Sequence, residues 1–538
     1  MSPIGFPMRH AFACLALVTM AIAGVWTWLG APVLLMPPQF GRGEKLYCVS
    51  YTPFRGAQTP LDPSIIIPPA QIEDDLKRLA QVTDCVRTYS VDFGLDQIPE
   101  IAARHGLKVM LGLWLSNNLI KTQYQIETTV ALANKYPGTI RSIVVGNEVL
   151  LRGDMTATEL VSTIRAVKAR VRAPVTYADV WEFWLRNHDV ANAVDFITIH
   201  ILPYWEDFPV PASDAVAHVE AIRRQVLAAF PGKEVLIGEV GWPSAGRMRE
   251  GALPSPANQA RVVQDVLALS KRGNFNVNII EAFDQPWKRA LEGTVGGHWG
   301  LFDATTRAPK FAGAQAVSNH PLWLWQGVGG ILFAVVVFGA AISVRTKDTP
   351  LSFWVAVGAN AFVGGALVGW TIENIPIESL GLGAWLRSLA LAAVAIAAPI
   401  VLSVAIMCST PVPAFFRLFG PKEYRERNSL ALSAGAILAA TMLLAFVIVL
   451  GLVFDPRYRD FPFTPLTAAI VPFIVHSVAA TRPKGIRPVA ETAGAVVIAL
   501  SVLYIVFNEG FANWQSLWLC AALAALAFNL ARVRDAPG

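Results

Sequence analysis

Charge is scarce in this chain. Only 15% of its 538 residues are Asp, Glu, Lys or Arg, while 54% are hydrophobic, a balance too apolar for an ordinary water-soluble protein. The formal net charge of +5 is spread over loops. No basic run is interleaved with aromatics, so nucleic acid is not expected as a partner. Cysteine is sparse as well, and none of the five shows the Cys/His spacing of a metal site. No metal and no cofactor are therefore expected. No glycine-rich fingerprint follows the first strand-like run, which argues against a dinucleotide fold. The lone GVGG at 327–330 lies in an apolar run, where small residues serve helix packing.

What is present is unevenly distributed. An apolar run covers 11–36, residues 40–320 read as water-soluble, and from Leu322 onward apolar runs recur near the roughly 20 residues that cross a bilayer. Seven are expected there, at about 322–344, 353–372, 386–408, 429–453, 463–480, 489–507 and 514–533. Arg345 and Lys347, then Arg417, Lys422, Arg425 and Arg427, then Arg482, Lys484 and Arg487, and finally Arg532 and Arg534 mark alternate ends of these runs. The intervening loops ENIPIES, FDPRYRD and NEGFAN have no net positive charge. Loop charge of this kind predicts that both termini are cytoplasmic and that residues 40–320 lie outside the cytoplasm. Residues 1–39 are read as an uncleaved anchor; Ala21-Ile22-Ala23 offers the rival reading of a signal-peptidase site. His476, Glu491 and Glu509 fall near span ends, where exposure at the membrane interface is expected. Cys48 and Cys85 sit at similar places on two successive strand-like runs, and an oxidising compartment permits a disulfide between them.

Within 40–320, strand-like and helix-like runs alternate. The strands are read at 46–51, 85–90, 107–114, 140–147, 174–180, 196–202, 234–240 and 277–283, each rich in Val, Ile and Leu, as strands covered on both faces should be. Between them QIEDDLKRLAQV, TATELVSTIRAVKARV, DAVAHVEAIRRQVLAAF and ANQARVVQDVLALSKRG place apolar residues at helical spacing. Thr156, Ser213 and Ser255 are read as helix caps. Eight such units in about 270 residues predict a (β/α)8 barrel, followed by an all-helical membrane domain over 321–538.

Catalytic groups of such a barrel sit at the C-terminal ends of its strands. Strand four ends in Asn147-Glu148 and strand seven in Glu239-Val240-Gly241-Trp242. Strand two carries Arg87 and Tyr89; strand five Tyr177, Asp179 and Trp181; strand six leads into His200, Tyr204 and Trp205; strand eight into Glu281, Asp284, Trp287 and Lys288. Two carboxylates flanking a bond are what glycoside hydrolysis requires. One must hold a proton near neutral pH, which calls for a raised pKa, while the other stays ionised. Aromatic rings offer surfaces to sugar faces, and Asn, Arg and Lys offer donors to hydroxyls. Each residue also has a plainer reading: a solvated turn for a lone Glu, barrel packing for the aromatics, a buried core histidine for His200.

The motifs VVGNEV (144–149), GEVGWPS (238–244), EAFDQPWK (281–288) and HWGLFD (298–303), in that order, resemble family 17 glycoside hydrolases, over roughly residues 45–315. The resemblance implies a retaining enzyme on a (β/α)8 barrel acting on β-1,3-linked glucans. It implies Glu148 as general acid/base, Glu239 as nucleophile and Asn147 as a ligand of the sugar beside the scissile bond. It also places Tyr89, Tyr204, Trp242, Trp287 and Lys288 along the cleft. Plant members carry another Glu shortly before WGLF; here Gly296 and Gly297 stand in that region, Glu292 is only a loose substitute, and no role is given to a third carboxylate. A barrel of this family joined to several membrane spans resembles proteobacterial proteins linked to cyclic or branched β-1,3/1,6-glucan synthesis. That implies an inner-membrane protein with a periplasmic barrel that transfers glucan. Its expected partners are a β-glucan, membrane lipid and a separate glucan synthase.

The alternatives are a plain endo-β-1,3-glucanase and a non-catalytic glucan-binding or export component. A synthase using a nucleotide sugar would need a cytoplasmic Asp-x-Asp pattern, which the short cytoplasmic loops do not offer.

Overall fold

The computed structural model describes residues 6–35, 44–311, 316–346, 348–479 and 485–534. Met36, the expected boundary at 39/40, Lys347, Arg482 and Lys484 lie outside the described residues. The chain divides into two compact units, one of residues 33–246 and 251–317, the other of residues 1–32, 247–250 and 318–538.

The first unit is a closed, all-parallel barrel of eight strands in sequence order. They are β1 (Cys48–Ser50), β2 (Cys85–Arg87), β3 (Lys108–Leu113), β4 (Ile140–Asn147), β5 (Val175–Val180), β6 (Ile197–His200), β7 (Val235–Val240) and β8 (Val277–Ile279). Each lies inside the run expected for it, and β1 pairs with β8 to close the cylinder. Side chains alternate across a strand. Val49, Val86, Val109 and Ile143 thus pack into the large core shared with the helices. Cys48, Cys85, Met110, Val144, Ala178 and Leu236 form a separate apolar layer on the other face. Cys48 and Cys85 are disulfide-bonded within it.

Helices follow the strands at the expected places. Thr156 caps Ala157–Lys168 in a capping box with Glu159, and the Ser255 side chain accepts from the Asn258 N–H at the start of Pro256–Gly273. Ser213 does not cap: Ala215–Ala229 has Asp214 at that position, with no side-chain cap bond. The two-residue strand Val33–Leu34 pairs antiparallel with Ala316–Val317 at the edge of this unit.

The second unit is helical. Phe6–Gly30, Trp323–Ser343, Leu351–Glu378, Gly381–Met407, Ser429–Phe454, Val489–Glu509 and Trp514–Arg532 contain stretches long and apolar enough to cross a membrane. Phe463–Ala479 has 17 residues, about 25 Å of helix against a hydrocarbon core of about 30 Å. Two boundaries differ from the sequence reading. The first helix stops at Gly30 because Pro32 has no N–H with which to extend it. The span expected to end near 372 continues through Pro376 to Glu378, and Glu373 there accepts from His320 Nδ1 (2.9 Å) and Gln326 Nε2 (2.8 Å). Buried pairing lets a carboxylate remain on an apolar helix.

Three polar groups of this unit that were expected to be exposed are instead buried and hydrogen-bonded. Glu491 is buried and accepts from the Phe415 N–H (2.6 Å), His476 is buried and bonds the Thr410 carbonyl (2.8 Å), and Glu509 accepts from Asn513 Nδ2 (3.2 Å). Trp26 and Trp28 end the first helix, while Trp323, Trp325, Trp385, Trp514 and Trp518 lie at helix starts and Trp370 two turns from a helix end. Trp370 packs on Trp518, and Trp514 on Phe463. Chain direction puts these residues at one end of the unit, and Trp354 with Arg345, Arg417, Arg487 and Arg532 at the other.

Candidate active site

The C-terminal end of β4 is conformationally unusual. Gly146 has φ +87° and Glu148 φ +54°. Glycine adopts that region freely, whereas glutamate pays about 1–3 kcal/mol for it. The segment is pinned from both sides. Arg152 donates to the Asn147 carbonyl and to the Leu115 carbonyl (2.9 Å), with its guanidinium 4.1 Å above the Trp114 ring. From β5, the Tyr177 hydroxyl accepts from the Leu150 N–H (3.0 Å) and itself donates to Asp179. The abrupt change from apolar strand to Gly-Asn-Glu thus turns Glu148 into the barrel mouth.

Glu239 arrives from β7 on the other side. An oxygen of Glu148, an oxygen of Glu239 and a nitrogen of His200 all lie within 4.8 Å of one another. Arg87, fully buried on β2, stands among them. Its Nη1 donates to Glu239 Oε1 (3.1 Å) and to the Gly238 carbonyl (2.7 Å), and its Nη2 to Asn147 Oδ1 (2.5 Å). Arginine was expected to offer donors to sugar hydroxyls; instead it spends them inside the protein. Its positive charge among the Glu148, His200 and Glu239 donors also argues against a metal ion there. Gly238 lets β7 lie close to β6, since a Cβ at that position would lie 2.3 Å from Thr198 Cγ2.

Tyr89 donates its hydroxyl to Glu239 Oε1 (2.8 Å). Arg87 and Tyr89 therefore share one oxygen of Glu239. Lys288 pairs with Glu281, whose burial pushes its carboxyl up to about 7. Trp287 stands beside it, half-buried, with Nε1 donating to Gln285 (2.8 Å) and its ring on Phe54.

Three expectations change. Burial alone would raise the Glu148 carboxyl, but the His200 hydrogen bond and the charges of Arg87 and Arg152 hold it below its ordinary value. That shift is opposite in direction to the raised acid expected. Tyr204 and Trp242, expected along the cleft, have no exposed surface. Their rings pack edge to face 6.0 Å apart, and Trp242 donates to the Leu253 carbonyl, so they lie beneath the mouth as packing. Glu292 does join the site: its half-buried carboxyl is raised by burial and by the charges of Glu148 and Glu239, against the lowering effect of Lys288. The signal for it was its place six residues before HWGLFD.

Comparison with known proteins agrees with this geometry. Residues 48–300 match the family model described as the BtgE/BtgC glycoside hydrolase domain. A glucan 1,3-beta-glucosidase of Candida albicans is 28% identical over 258 residues, covering 43% of this chain and 82% of that protein. Its counterpart in Arthroderma benhamiae is 29% identical over 263 residues, covering 45% and 83%. Among solved structures, the glycoside hydrolase family 17 beta-1,3-glucanosyltransferase of Rhizomucor miehei aligns at 27% identity and a TM-score of 0.44, over 50% of this chain and 96% of that one. Arg87, Glu148, His200 and Glu239 lie within the range 48–300. Residues 48–300 therefore carry a glycoside hydrolase domain of the BtgE/BtgC description, and they make this chain an enzyme of glycosidic bonds.

Proposed function

We propose that this chain is a membrane-tethered, retaining β-glucan enzyme that cleaves β-1,3-glucosidic bonds and passes the glucosyl chain to a glucan acceptor, in β-1,3/1,6-glucan remodelling or synthesis. The carrying observation is the approach of Glu148 and Glu239 oxygens to within 4.8 Å, the spacing of direct attack and not that of a water-mediated inversion. The relatives' names point to β-1,3-glucan as substrate.

Glu239 Oε2 attacks the anomeric carbon while Glu148 protonates the leaving oxygen, giving a covalent glucosyl-enzyme. Glu148 then takes the proton of the incoming hydroxyl. With Asn147 Oδ1 held by Arg87, its amide nitrogen is the end offered to the sugar next to the scissile bond. Trp287 and Lys288 line the cleft. The basic residues Arg345, Arg417, Arg487 and Arg532 at alternate helix ends favour a multi-pass protein of the bacterial inner membrane, with both termini cytoplasmic and the barrel periplasmic. The Cys48–Cys85 disulfide suits that compartment.

The test is incubation of the full-length protein in detergent with a β-1,3-gluco-oligosaccharide. Products longer than the substrate, or carrying β-1,6 links, are expected; only shorter products would make it a plain hydrolase, and no turnover by folded protein would make it a binding component. Covalent trapping by a mechanism-based fluoroglucoside is expected in the wild type and lost in Glu239→Ala.

A further inference from the structure

Glu148 enters the mouth from a left-handed backbone position, which fixes its main chain but not the plane of its carboxyl. The group that meets that carboxyl, from two strands along the barrel, is His200, the last residue of β6, next to Glu239 in the sheet register. His200 is 1% exposed, so it does not reach a sugar. Its Nδ1 lies 2.7 Å from Glu148 Oε1. Its Nε2 lies 3.3 Å from both Nη1 and Nη2 of Arg87. A guanidinium only donates. Nε2 must therefore present its lone pair, the ring hydrogen sits on Nδ1, and Nδ1 donates to Glu148 Oε1.

We propose that His200 is a positioning residue for the acid/base step: it keeps Oε1 of Glu148 occupied as an acceptor, so that the catalytic proton resides on Oε2 alone. This rests on the reading of Glu148 as acid/base given above. In the first half-reaction the Oε2 proton goes to the glycosidic oxygen, which also keeps the electron pair of its broken bond to the anomeric carbon. In the second, the acceptor hydroxyl gives its proton to Oε2 as its oxygen displaces Glu239. No proton passes through His200. Arg87, which also holds Glu239 Oε1, fixes the histidine tautomer, so one cation orients both carboxylates.

The ionisable groups facing Glu148 are His200 from β6, Arg87 from β2, Arg152 from the loop after β4, Asp179 from β5, Glu239 from β7 and Glu292 from the helix after β8. Of these, His200 alone is hydrogen-bonded to the carboxyl among the described residues. Its donation lowers the Glu148 pKa. The acid step needs the protonated form, so removing His200 should move the alkaline limb of kcat/KM to higher pH.

The experiment compares wild type, His200→Ala and His200→Asn, full-length in detergent, on two substrates. One is a β-1,3-gluco-oligosaccharide, whose leaving group needs a proton. The other is a dinitrophenyl β-glucoside of the same sugar, whose leaving group does not. His200→Ala is expected to lose about 10²-fold or more on the oligosaccharide and less than about tenfold on the aryl substrate. His200→Asn, which returns an N–H near the Nδ1 position, should recover part of the difference. Equal losses on both substrates with an unmoved alkaline limb, or no loss at all, would overturn the proposal. If His200→Ala does not fold, His200→Asn carries the same comparison: a smaller loss on the aryl substrate supports the role and equal losses refute it. A wild type inert on both substrates would instead remove the enzymatic reading itself.

Discussion

The barrel mouth and the helical unit both bury polar groups, but they use them differently. At the mouth, Arg87, Glu148, His200 and Glu239 come from four separate strands and meet at one point, each bonded to at least one of the others. In the helical unit, polar groups form pairs and small clusters set apart from one another. Glu491 meets one backbone N–H, His476 one carbonyl, and Asn360 the hydroxyl of Ser403 (3.1 Å). Convergent polarity around an open space can act on something placed there. Polarity paired off locally holds helices and terminates them. Sequence shows acids and histidines in both places, so their number does not distinguish chemistry from construction.

Substitutions can break this contrast or sharpen it. Glu239→Gln keeps the shape and removes the proposed nucleophile, so turnover of a β-1,3-gluco-oligosaccharide should fall by about 10⁴-fold or more. The buried Arg87 loses its anion, so the melting temperature should fall too, but less than for Arg87→Met because the amide oxygen still accepts from Arg87 and Tyr89. Arg87→Met should strike both properties: it leaves Glu239 partly desolvated without its cation, at about 3–5 kcal/mol, seen as a lower denaturation midpoint together with lost turnover. Glu491→Ala in the helical unit should cost about 1–3 kcal/mol, because the buried Phe415 N–H loses its acceptor; kcat/KM of the folded fraction should be unchanged. Asn360→Leu is expected to be the mildest, about 0.6 kcal/mol, typical of a single bond between membrane helices. A loss of turnover in folded Glu491→Ala or Asn360→Leu protein would mean that the helical unit takes part in the chemistry.

Much of the barrel could be read from the chain alone. Eight β-branched and leucine-rich runs with helical patterns between them leave few arrangements, and Glu148 and Glu239 each follow an apolar strand at its end. The harder part was which neighbours touch. Arg87 reads as one more donor near a strand end, and only closure of the barrel shows that β2 faces β4, β6 and β7 across the interior. Tyr204 and Trp242 read as surfaces for sugar, but burial of an aromatic depends on Trp205, Trp299 and the loop carrying Leu253, which are remote in sequence or unplaced by it. Glu292 was discounted because its spacing from WGLF differed from the plant pattern; the helix Arg289–Gly296, with a non-helical turn at Gly293 (φ 72°), brings it back toward Lys288. In the helical unit, apolar runs located the helices, while the turn through Pro376 escaped notice because proline and two glutamates normally signal a loop.

Gly238 gives this architecture a particular vulnerability. It lies one residue before Glu239, its carbonyl accepts from Arg87, and its missing side chain leaves the space taken by the Thr198 methyl of β6, 2.3 Å from where a Cβ would stand. A single added methyl would leave every ionisable residue of the mouth in the chain, yet would collide with Thr198 and displace the strand that carries Glu239. Inspection of reactive residues alone would pass such a variant as intact; the inherited requirement here is for empty space.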